Sequence, residues 1–138
     1  VEEAFAELER LPEELQSLPA VQAVRLDCLM AAKDWNAAVK LAQVLCGQWA
    51  EEPGLWLHHA YAARRCAAGS IEAAYELLAP CVERFPEEWL IPYNVACYLC
   101  QMERLDEARA MLEMARAKGG ERVDTMAKDD EDLAPLNL

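Results

Sequence analysis

Apolar residues recur along most of the chain at the three- and four-residue spacing of a helix with one buried side. Val1, Ala4, Phe5, Leu8 and Leu11 form the first stripe, with Glu and Arg opposite, and Pro12 ends it. Residues 13–18 leave room for one short turn before Pro19, which suits the first position of a helix. The pattern then predicts a helix over 20–32, with Val21, Val24, Cys28 and Ala31 on one side. A second runs over 35–48, capped by Asp34, with Trp35, Ala38, Leu41, Ala42 and Leu45 inward. Glu51-Glu52-Pro53-Gly54 breaks the chain. Helices follow over 55–68 and, after a Gly69-Ser70 turn, over 71–84, where Pro80 interrupts the hydrogen-bond ladder. The last pair covers 89–102 and 105–118. Pro92 is tolerated in a first turn, and Gly119-Gly120 is the stop. Residues 121–128 carry Val123, Met126 and Ala127 on one side. Residues 129–132 read as a solvated acidic run, and Leu133, Leu136 and Leu138 as a return onto the end of the stack.

Two lines within this pattern are alike. Ile71, Glu72, Ala74 and Leu78 correspond to Leu105, Asp106, Ala108 and Leu112, each pair 34 residues apart. Trp35-Asn36-Ala37-Ala38 lies 36 residues before Ile71-Glu72-Ala73-Ala74. A period near this length is the mark of helical hairpins stacked on one another, because one hairpin cannot bury its apolar side alone.

Composition narrows the picture. In 138 residues, 54% are hydrophobic, which suffices for one domain with a core, and the excess of Ala and Leu favours helix over sheet. A net charge of −12, densest in the first and last 18 residues, repels phosphate backbones and disfavours nucleic acid. The bland meaning of that charge is a solvated acidic surface. Cys28, Cys46, Cys66, Cys81, Cys97 and Cys100 sit in apolar helical runs, as reduced thiols do in a cytoplasmic protein. No segment has the length and apolarity of a membrane span. The chain opens at Val1 rather than Met, so a leader ahead of it stays open.

On these residues the chain resembles the tetratricopeptide repeat family, from 19 to about 120. Residues 89–122 carry Ala96 at the small position of the first helix, then Leu99, Ala108, Leu112 and Ala115. Residues 55–88 match through Gly69, Ile71, Ala74, Leu78 and a closing Pro86. Residues 19–54 match more weakly, through Trp35, Ala38 and Leu45. The resemblance implies an all-α fold, a right-handed superhelix of antiparallel hairpins. Its parts would be a leading helix and connector over 1–18, repeats over 19–54, 55–88 and 89–120, and a capping helix and tail over 121–138. It also implies a concave surface, lined by the first helix of each repeat, that binds an extended peptide or a helix.

One helix departs from the family pattern. Aligned without gaps, residues 55–68 place His58 and Arg65 in the core and Trp56, His59 and Ala63 in the groove. Two extra residues in the turn at Ala67-Ala68 instead put Trp56, Ala60, Ala63 and Ala67 on the core side. Leu57, Tyr61, Arg64 and Arg65 then turn outward. The second alignment leaves no unpaired arginine in the core, where one would cost several kcal/mol, and is preferred.

Candidate chemistry is sparse. Cys97 and Cys100 have the spacing of a redox pair but fall mid-helix, away from the terminus that activates such thiols. His58 and His59 point about 100° apart on a helix and cannot share a ligand. There is no phosphate loop or nucleophile elbow. The sequence therefore reads as a non-enzyme with no cofactor or metal, a protein-binding scaffold with a protein or peptide partner, no nucleic acid and no membrane. Its groove would comprise Leu57, Tyr61, Arg64, Arg65, Leu90, Tyr93, Asn94, Cys97 and Gln101. Asn94 falls where peptide-gripping relatives in that family use an asparagine, although their basic companions are missing from this helix. The competing reading is self-assembly as a homodimer, through exposed end faces or residues 133–138, or a structural part in a larger protein. A blander one is that Tyr93 and Cys97 pack against a neighbouring helix or the chain's own tail.

Overall fold

A computed structural model describes residues 1–138 as ten α-helices and one 3-10 helix, with no strand. They are α1 (Glu2–Glu9), α2 (Glu13–Gln16), α3 (Pro19–Ala31), α4 (Trp35–Gln48), α5 (Pro53–Arg65), α6 (Ile71–Leu78), α7 (Cys81–Arg84), α8 (Leu90–Gln101), α9 (Leu105–Gly119) and α10 (Glu121–Lys128). The 3-10 helix Glu131–Leu136 closes the chain. No helix is long and apolar enough to cross a membrane.

The starts and stops follow local chemistry. Asp34 accepts from the Ala37 amide at 3.3 Å and Ser70 from the Ala73 amide at 3.0 Å, each satisfying a donor that a helix start leaves free. Pro19 opens α3 and Pro53 opens α5, so α5 begins and ends earlier than its apolar run suggests. Pro80 splits the expected 71–84 helix into α6 and α7, since it cannot donate to the ladder.

Successive helices pack on one another, α3 on α4, α4 on α5, α5 on α6, α6 on α8 and α8 on α9. The turn inside the first pair is closed by the Asp34 amide donating to the Leu29 carbonyl. The turn inside the last is closed by the Arg104 amide donating to Leu99. Each reaches back five residues, and each has a non-glycine residue at positive φ just before it, Lys33 at 58° and Glu103 at 61°. In the middle pair the Ser70 amide reaches back seven residues, to Ala63 at 3.2 Å. The middle turn is thus two residues longer, as keeping Arg65 out of the core requires. Gly69 sits inside that turn because a Cβ there would lie 1.8 Å from the Ala63 carbonyl oxygen.

Allowing for the two residues, Leu26, Ala60 and Ala96 become equivalent, and all three are fully buried. This corrects the inward side of α3: Leu26 faces the core, while Val24 is left exposed. The core falls into two parts. Twenty buried residues join α5, α6, α7, α8, α9, α10 and the 3-10 helix, whereas five, Leu26, Ala38, Ala42, Leu45 and Ala62, serve the N-terminal side. Leu133 and Leu136 belong to the large cluster, and Val123 and Ala127 join them there; Met126 and Leu138 remain exposed.

Candidate functional site

The face shared by α3, α5 and α8 carries the nine groove residues expected from the sequence. The two-residue correction makes Leu57 equivalent to Tyr93, Tyr61 to Cys97 and Arg65 to Gln101, so α5 and α8 present the same register to it. The face has an open part and a closed part.

Leu57, Tyr61, Leu90 and Asn94 meet in the open part. With Met30, Gly54 and His58 they line a cleft of about 500 Å3. Tyr61 is the exposed aromatic of the group. The Arg65 guanidinium lies 3.5 Å from the Tyr61 ring centroid and 5.7 Å from that of Trp35, and its Nη1 donates to the Tyr61 carbonyl at 3.1 Å. Stacking of this kind holds a long side chain in one orientation. Asn94 Nδ2 donates to the Leu90 carbonyl of its own helix at 2.8 Å, so that donor is used. Trp35 was expected inward; it is half-buried and tilts against Tyr61 with centroids 5.7 Å apart.

The other four expected residues grip the end of the chain. Arg64 donates to both carboxylate oxygens of Asp132, at 2.6 and 2.8 Å, the fork geometry of a bidentate pair. The Tyr93 hydroxyl donates to Asp130 Oδ2 at 2.8 Å, and Cys97 Sγ reaches the same oxygen at 3.7 Å. Gln101 Nε2 donates to the Asp132 main-chain carbonyl at 3.0 Å. The other Asp130 oxygen accepts from the Asp132 amide at 3.0 Å and fixes the first turn of the 3-10 helix. Tyr93 and Cys97 are buried, so their place on the face is taken by the tail. Residues 129–132 are correspondingly not a uniformly solvated run, since Asp130 and Asp132 are both half-buried and held.

The titration directions follow from these contacts. The hydrogen bond from Arg64 holds the Asp132 carboxyl below its usual range and outweighs the opposing effect of burial. Burial, reinforced by Asp130, pushes the Tyr93 hydroxyl and the Cys97 thiol up. Burial also raises Cys100, so neither sulfur of the mid-helix pair is disposed to become a thiolate. Cys97, Asp130 and Asp132 place donor atoms within 4.8 Å of one another, but Arg64 already balances Asp132 and Tyr93 already satisfies Asp130. All six cysteines are free. His58 is half-buried, with Nε2 3.8 Å from Asp27. His59 is buried against Trp56 with Nδ1 unpaired, and burial lowers its pKa.

Sequence reasoning missed Asp130 and Asp132 because four adjacent acids look like solvated surface. The available signal was their position immediately ahead of Leu133 and Leu136, which were expected to fold back. No known protein family, curated protein or solved structure matches this chain.

Proposed function

We propose that the hairpins stack as a tetratricopeptide-like superhelix whose α3–α5–α8 face binds a segment of another protein, with no chemistry of its own. The observation that supports this most is the open cleft of about 500 Å3, where Met30, Leu57, Tyr61, Leu90 and Asn94 from three separate helices converge. Apolar and aromatic side chains with a few polar groups at the edge are what a peptide-binding surface needs. Tyr61 would supply apolar contact, and Arg65, already stacked beside it, would meet an acidic group. A cytoplasmic location suits six free thiols.

The test is affinity capture with mass spectrometry, comparing the chain with a Leu57→Ala, Tyr61→Ala double variant of matched helicity. Loss of the same captured proteins is the expected result, and an unchanged set would overturn the reading. Self-assembly is the second reading. Burial of Leu133 and Leu136 takes those two side chains from it, while Val24, Val44 and Leu138 remain exposed. Light scattering across concentration separates the two, since a stable dimer with the cleft covered favours assembly.

A further inference from the structure

Every side-chain to side-chain hydrogen bond that spans more than eight residues ends on Asp130 or Asp132. Arg64 reaches 68 residues along the chain, Tyr93 37 and Cys97 33. The remaining bonds of this kind are local surface pairs three to eight residues apart. The long-range hydrogen bonding between side chains thus converges on one short segment, and its three donors, Arg64, Tyr93 and Cys97, all lie at groove positions on α5 and α8.

The contacts on that segment differ in kind from helix packing. A carboxylate at 130 meets a hydroxyl and a thiol, a carboxylate at 132 meets a guanidinium fork, and a side-chain amide reads the main-chain carbonyl of 132. Leucines at 133 and 136 then enter the core. A partly buried ion pair of this sort adds little stability over an apolar pair of similar volume, but it rejects segments lacking the right groups. The segment is also lightly built. It is one short 3-10 helix with Pro135 inside it, and 3-10 hydrogen bonds are poorer than α-helical ones.

We infer that residues 130–136 act as an internal ligand, and that the face recognises in a partner the same order of groups, acid, any residue, acid, leucine, with that partner competing for the same seat. This rests on the proposed reading that the face binds a protein segment. It adds which chemistry is bound, and that the resting chain covers part of its own site. Arg64 selects the second acid and Tyr93 the first. Gln101 reads the main-chain carbonyl of the second acid, and the residue between the two acids, Glu131, is exposed, so any side chain is tolerated there. The open cleft beside Tyr61 continues the same face, so a longer partner can dock there first and then displace the tail.

Two measurements on the full chain test this. Hydrogen exchange followed by NMR reads whether the tail opens by itself. The amides of Asp132, Leu133 and Asn137 are expected to exchange at least about 100-fold faster than those of α8 and α9. Equal rates would mean that the tail leaves only when the domain unfolds, and would overturn the inference. The second is fluorescence anisotropy with a labelled peptide of the chain's own last ten residues, Asp129 to Leu138. An Asp132→Ala chain, whose own tail is loosened, is expected to bind it at least tenfold more tightly than the unaltered chain. Adding Arg64→Ala, or replacing both recognised aspartates in the peptide by asparagine, is expected to abolish that gain. No gain in the Asp132→Ala chain, or a gain indifferent to Arg64, would overturn the inference. Capture lost in the Leu57→Ala, Tyr61→Ala variant alongside a negative peptide result would sink the internal ligand and spare the scaffold. A positive peptide result with no partner captured would do the reverse.

Discussion

The N-terminal and C-terminal sides of this molecule use the same kind of helix pair and arrive at different degrees of closure. Around α8 and α9 the core is large and continuous, and α10 and the 3-10 helix seal it. Around α3 and α4 the buried cluster holds only five residues, while Leu15, Leu18, Val24 and Val44 stay exposed. A second cleft of about 500 Å3 opens there, between Ala23, Leu26, Leu45, Trp49 and Leu55. The difference lies in what covers the last apolar surface. A stacked hairpin has two faces to hide, and the C-terminal pair has a dedicated cover for its outer one. The N-terminal pair has α1 and α2, which contribute one buried residue, Leu8.

Changes inside the sealed side should have the largest effect. Leu133→Ala removes a fully buried side chain that closes the large cluster, and should cost about 3 kcal/mol by thermal or urea unfolding. A cost below about 1 kcal/mol would mean that the tail is not part of the core. Gly69→Ala acts at the junction of the two sides. The added methyl meets the Ala63 carbonyl, which already accepts the Ser70 amide, and the turn must open, at about 2 kcal/mol.

Acid should separate the sides next. The folded-state pKa of Asp132 is depressed, so its pairing contributes stability that is full above its unfolded value of about 3.9 and fades as pH falls through the folded value. The tail seat is therefore expected to hold unchanged from pH 7 to about 5 and to loosen only at lower pH. Anisotropy of a dye at residue 138 would report this, and the response should vanish in Arg64→Ala. Smallest of all, Val44→Ala on the open side should shift stability by less than about 0.5 kcal/mol, because the side chain is already in water. A larger loss would show that α4 is covered in solution.

Much of the architecture was legible because the signals are local. Asp34 and Ser70 announce helix starts within three residues, and Pro80 stops α6 by its own geometry. The longer middle turn could be read because Arg65 has no tolerable place in a core. The end of α5 at Arg65 could not, since Cys66, Ala67 and Ala68 are apolar and continue the helical pattern. The site was harder. Leu57, Tyr61, Leu90 and Asn94 follow from register alone. That Asp132 faces Arg64 depends on where α5 and the tail end up after every intervening helix has packed, and no local pattern carries that information. Val24 was placed inward for a related reason: α3 is apolar on more than one side, and the choice between sides is made by α4.

The pairing of residue 64 with residue 132 also says something about time. The loop it closes spans nearly half the chain, so it gains nothing until α6, α8, α9 and α10 are already in place. It should then be among the final contacts to appear on refolding and the earliest to part on unfolding. Weakening it would hasten departure from the native state and leave the rate of reaching that state almost untouched.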